Sequence, residues 1–211
     1  MSLALISDPS TKNGTAAIKL ALTDCHSPQP QVGYIASEPD IDRRYFTQTK
    51  QIYDKCGVEL STYIELEAEF DDGAFQHLLT LDVIHLSGGN TYRFLFALHQ
   101  RHLLPALSDY VQSGGVLIGV SAGAMIMTPS IVTASLCGDV NSVGLTDLSG
   151  LGLTSFTFVP HGCHSDEEVD SVRQFVKEES VRCYLCRDED SLVLLKGHKQ
   201  WTLFGKPMLV I

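Results

Sequence analysis

Short apolar runs alternate along the chain with longer amphipathic segments, the two periods expected of buried strands and of the helices that cover them. Leu3–Ser7, Gln31–Ala36, Val58–Glu65, Asp82–Leu86 and Val116–Val120 predict strands. Between them, Thr15–Leu22, Ile41–Cys56, Asp71–Leu79, Asn90–Gln100 and Pro105–Gln112 predict helices, the second closed by Gly57 and the third capped near Asp71. Alternation of this kind predicts an α/β fold with a mostly parallel, doubly wound sheet and helices on both faces. After Val120 the pattern loosens. Thr128–Leu153, with its Pro, Gly, Ser and Asp, predicts a long loop, and Phe156–Val159 a strand ending at Pro160-His161. Asp166–Glu179 predicts a helix capped by Ser165 or Asp166. Val181–Cys186, Ser191–Leu195 and Gln200–Phe204 predict strands, the last two forming a hairpin that turns at Gly197. With no repeat or linker, residues 1–211 are expected to form a single domain.

One strand leads into chemistry. Val116–Val120 runs straight into Ser121, in the frame Gly119-Val120-Ser121-Ala122-Gly123, with a helix-forming segment following. This is the grammar of a nucleophile elbow, a tight strand-to-helix turn that lifts a hydroxyl clear of the sheet. Glycine suits both flanks because the turn brings backbones together where a Cβ would not fit. The free N–H groups of the new helix favour negative charge developing beside the serine.

Composition narrows the partners. The 211 residues are 44% hydrophobic and 19% charged, ordinary for a globular protein able to bury a core. A net charge of −10 argues against nucleic-acid and anionic-membrane partners, both of which require clustered Lys and Arg. No apolar stretch approaches the ~20 residues that cross a bilayer. The N-terminal residues read as a first strand rather than a basic leader, so a cytoplasmic location is expected. The six scattered cysteines require no disulfide framework.

A serine nucleophile needs a general base and donors for the oxyanion. In open α/β sheets such groups lie beyond the C-terminal ends of strands. His161 sits there, just after Phe156–Val159, with His164 its only close competitor among eight histidines. Ser87-Gly88-Gly89-Asn90 follows another strand, where Gly88 and Gly89 let backbone N–H groups face a substrate and Asn90 can cap the next helix. Gly89 N–H beside Ala122 N–H is the candidate oxyanion hole. The carboxylate that would orient the histidine is open between Asp139 and Glu189, with Asp147 and Asp166 weaker candidates. A rival constellation of metal ligands comprises His161, Cys163, His164, Cys183 and Cys186. Its Cys183-x-x-Cys186 pair falls within an apolar strand rather than a knuckle turn, which counts against a metal.

Taken as a set, Ser87-Gly88-Gly89-Asn90-Thr91, Gly119-Val120-Ser121-Ala122-Gly123-Ala124 and Val159-Pro160-His161 resemble the peptidase E (aspartyl dipeptidase) family of serine peptidases, whose relatives include cyanophycinase. The resemblance implies a three-layer α/β/α sandwich related to class I glutamine amidotransferases. It also implies Ser121 as nucleophile, His161 as base, and Gly89 and Ala122 as oxyanion donors. The family's third catalytic member lies a little beyond the elbow helix; counting from the serine lands on Leu136, with Asp139 three residues later. Glu189 matches an acidic residue that the family keeps near the histidine. In aspartyl dipeptidases an arginine after the histidine receives the substrate's N-terminal aspartate. Here that segment is a short acidic stretch, Gly162–Glu168, and Arg173 falls within the following helix. Strict Asp-X cleavage is therefore not expected, and His164, Glu167 or Glu168 is expected to receive a free amino group or a basic side chain.

The resulting expectation is a serine hydrolase that cleaves small peptides, dipeptides above all, through an acyl-enzyme, with no cofactor or metal and as a monomer or homodimer. The alternatives are a ligand-binding member of the same fold without turnover, or a Cys/His metal-binding protein.

Overall fold

A computed structural model describes all 211 residues. The larger of its two sheets has seven strands in the order β3-β2-β4-β5-β1-β8-β9. These are β1 (Ser2–Ile6), β2 (Gln31–Ile35), β3 (Glu59–Ile64), β4 (Val83–Leu86), β5 (Val116–Val120), β8 (Ser191–Leu194) and β9 (Thr202–Phe204). The first five pair in parallel, while β8 and β9 add antiparallel strands beyond β1. Every residue of β1, β4 and β5 is buried, which is why they read as unbroken apolar runs.

Alternation along β1 divides the core. Ala4 and Ile6 face a cluster with Ala17, Ile18 and Ala21 of α1 (Lys12–Leu22) and Tyr53 of α2 (Arg44–Lys55). Leu3 and Leu5 face the opposite layer, built on α3 (Asp72–Leu78), α4 (Thr91–Gln100), α5 (Leu104–Gln112) and α6 (Ala122–Ile126). Helix starts follow side-chain caps: Thr11 accepts from Gly14 N at 3.0 Å, and Asn90 from Arg93 N at 2.9 Å. The mostly parallel sheet between helical layers agrees with the sequence expectation.

Two features depart from it. A separate three-stranded sheet, β10-β7-β6, comprises β6 (Thr157–Val159), β7 (Cys183–Leu185) and β10 (Met208–Val210). It packs against Val169, Val172 and Val176 of α7 (Asp166–Glu179). Strand β10 was not among the expected elements. The expected loop Thr128–Leu153 contains a 3-10 helix over Val132–Cys137, and its far end returns to α6 through Leu151 N–H to Ile126 O at 2.8 Å.

Candidate active site

The turn from β5 into α6 is packed on every side. Ser121 has φ +49°, a left-handed value rare outside glycine. Its N–H donates to Ile6 O at the end of β1 (2.9 Å), and Gly123 N–H donates to Ser87 O (3.0 Å). A Cβ at Gly119 would meet the Gly123 carbonyl at 2.6 Å, and one at Gly123 would run into the backbone of Leu86. Those two glycines permit the close approach that holds Ser121 above the sheet.

The Ser87–Asn90 loop lies beside it. Gly88 O accepts from the hydroxyls of Ser37 (2.6 Å) and Ser87 (3.1 Å). In a trans peptide the following N–H points the other way, so Gly89 N–H faces away from those hydroxyls and has no acceptor in the chain. A Cβ on Gly88 would stand 3.5 Å from Ser121 Cβ. Ala122 is the first residue of α6 and has no carbonyl one turn back to bond. Asn90 is otherwise engaged: Oδ1 caps α4, and Nδ2 donates to Val140 O at 3.1 Å. Its expected place in substrate binding is therefore corrected to a structural one.

His161 reaches the elbow from the small sheet. Its N–H donates to Ser7 Oγ at 2.9 Å, and Gly162 N–H to Cys186 O at 2.8 Å, so the ends of β1, β6 and β7 meet there. Nε2 lies 2.9 Å from Ser121 Oγ, and Nδ1 lies 2.7 Å from Asp188 Oδ1. An ionised carboxylate only accepts, so Nδ1 carries the proton and Nε2 accepts from the serine hydroxyl. The pair is open, with the side chains of His161 and Asp188 47% and 62% exposed.

The acid at the histidine is thus Asp188, neither Asp139 nor Glu189. Asp139 Oδ2 accepts from Thr91 N–H at 2.8 Å, which spends it on the start of α4. Glu189 is exposed. Within Asp188-Glu189-Asp190, the fully buried Asp190 accepts from Arg187 N–H (2.8 Å) and Lys206 N–H (2.6 Å), which fixes the turn and leaves Asp188 to face His161.

His164 is also reassigned. Its Nε2 lies 3.1 Å from Leu185 O, and Glu168 Oε2 accepts from Cys163 N–H and His164 N–H. Neither lines the cavity at Ser121, and Arg173 pairs with Asp170 on α7. The rival metal set is not assembled: both ring nitrogens of His161 are engaged, and burial pushes the Cys183 thiol up to about 12.

Fold and site define a three-layer α/β/α protein whose elbow serine is linked through a histidine to an aspartate. The sequence model of Peptidase family S51 matches residues 3–202, and the chain belongs to that family. Over 221 aligned positions it is 27% identical to peptidase E of Streptomyces coelicolor, covering 98% of this chain and 88% of the relative. An uncharacterized peptidase of Pasteurella multocida is 35% identical over 81 residues, which span 38% of this chain and 39% of that one. Among solved structures, a protein of the peptidase E type from Listeria monocytogenes superposes with a TM-score of 0.75 at 21% identity, covering 98% of each chain. A peptidase from an acI-B1 Actinobacterium gives 0.71 at 18% identity, covering 99% of this chain and 93% of that one. No helix is long and apolar enough to cross a membrane.

Proposed function

We propose that the protein is a serine peptidase acting on short peptides through an acyl-enzyme. Ser121 Oγ attacks the scissile carbonyl carbon as its proton passes to His161 Nε2. Asp188 holds the imidazole in the tautomer that can accept and stabilises the imidazolium. Gly89 N–H and Ala122 N–H receive the oxyanion. The tetrahedral species then expels the amine, which takes the proton from Nε2. Water attacks the ester, gives its proton to the same nitrogen, and releases the carboxylic product with Ser121 restored.

The observation that carries this reading is the pair of bonds on one ring, 2.9 Å to the serine and 2.7 Å to the aspartate. A ligand-binding protein without turnover needs no acid at the histidine, and the Asp188 contact supports turnover instead. Fluorophosphonate labelling should modify wild-type protein at Ser121 and fail in Ser121→Ala. Labelling elsewhere, or dipeptide hydrolysis surviving in Ser121→Ala, would remove the proposal.

A further inference from the structure

The cavity at Ser121 has a volume of about 440 Å³ and extends from His161 past the elbow to helix α2. Asp8, Glu38 and Asp40 line it, whereas no lysine or arginine does. The nearby Arg93 is held by Glu67 at 2.6 Å and by Glu38 at 3.1 Å, so its charge is already matched.

The lining contributed by β2 and β4 is neutral. Tyr34 and His85 are register neighbours on β2 and β4, 3% and 1% exposed, with rings stacked at a centroid distance of 5.3 Å. His85 Nδ1 lies 3.0 Å from the hydroxyl of the fully buried Tyr53. That phenol has no other partner, so its proton must go to Nδ1, which puts the ring's own proton on Nε2. Nε2 has no partner in the chain, and the ring lines the cavity. Burial lowers the pKa of His85 to about 3, so the ring is an uncharged donor at neutral pH.

We propose that this cavity receives the amino-terminal residue of the substrate, with its free ammonium group drawn to the lining carboxylates of Asp8 and Asp40 and an uncharged side chain beside Tyr34 and His85. The oxygen at that side chain's tip, as in tyrosine or glutamine, accepts from His85 Nε2–H. An N-terminal aspartate is rejected, because its carboxylate would lose water, meet no unpaired cation and face Asp8 and Asp40, Glu38 being already matched by Arg93. This assignment deepens the peptidase reading and rests on it.

Binding to Ser121→Ala protein separates the two, since it needs no turnover. Calorimetry with tyrosinamide, N-acetyltyrosinamide and aspartic acid α-amide should give tyrosinamide an advantage of at least about 10-fold over each of the others. Phenylalaninamide should bind about 5-fold more weakly than tyrosinamide, and His85→Phe should erase that difference. If His85→Phe fails to fold, Gln48→Arg serves instead. It places a cation in the cavity from the exposed side of α2 and should raise affinity for the aspartic amide about 10-fold. Equal or tighter binding of the aspartic amide, indifference to N-acetylation, or no measurable binding would overturn the assignment. Wild-type protein that labels at Ser121 yet prefers Asp-X substrates would overturn the specificity alone; amide discrimination without labelling would overturn the peptidase reading alone.

Discussion

The serine and its histidine–aspartate partners are held in opposite ways. Every residue from Ala122 to Met127 is buried, and backbone bonds to Ile6 and Ser87 fix the turn that carries Ser121. His161 and Asp188 stand on the tips of β6 and β7, about half in solvent. The serine is positioned by packing and its partners by a few hydrogen bonds, so damage should register differently on the two sides. At the glycines that pack the elbow, substitutions should cost stability together with activity. At the tips they should cost activity alone.

The largest expected effect is on turnover in Ser121→Ala or His161→Ala, a fall in kcat of about 10⁴-fold or more with unfolding unchanged. Next comes Asp188→Asn. An orienting aspartate that is buried is worth about 10⁴ in rate, and this solvated one should give about 10²–10³, again without a change in Tm. Thermal unfolding of Gly123→Ala tests the elbow. Its new methyl has no room against Leu86, so stability should drop by about 1–3 kcal/mol and Tm by about 3–10 °C, with activity falling too.

A further effect on stability depends on pH. The His85 pKa is lowered from 6.5 to about 3, so between those values the unfolded chain binds a proton that the folded one refuses. Stability should therefore fall on acidification through that window, by up to ~1.4 kcal/mol per pH unit, and show no contribution from this group at higher pH. Denaturant titrations of wild type and His85→Gln at several pH values measure it, with the acid-side slope reduced in the variant. The smallest effects belong to Asp139 and Glu189, which do not contact His161. Asp139→Asn should cost about 0.5–1 kcal/mol through the start of α4, and Glu189→Gln nothing measurable, each with kcat within about 3-fold of wild type.

The same contrast explains what the sequence could disclose. The strand-to-helix turns that carry Ser121 and Gly89 were legible because an apolar strand, small residues and a helix are consecutive in the chain, so local rules suffice. His161 was legible as a histidine directly after a strand. Asp188 was not, because its role depends on the parallel pairing of Val159 with Leu185 across the connecting helix α7. That pairing levels the two strand ends, so an acid just beyond β7 had a claim on a histidine just beyond β6. Its signal was present in the triplet Asp188-Glu189-Asp190. Choosing among the three required knowing that Asp190 turns inward to bind two backbone N–H groups. Asp139 misled because an acid near the family's position after the elbow can equally serve the start of α4. The second sheet was hidden for a similar reason, since its third strand comes from the chain's last residues.

The hydrogen-bonding state of one imidazole tests this account most directly. Long-range ¹H–¹⁵N spectra of His161 near neutral pH should report a protonated Nδ1 and a bare Nε2, with the tautomer disturbed in Asp188→Asn and retained in Asp139→Asn and Glu189→Gln. A proton resting on Nε2 in the wild type, or a ring indifferent to Asp188→Asn, would contradict it.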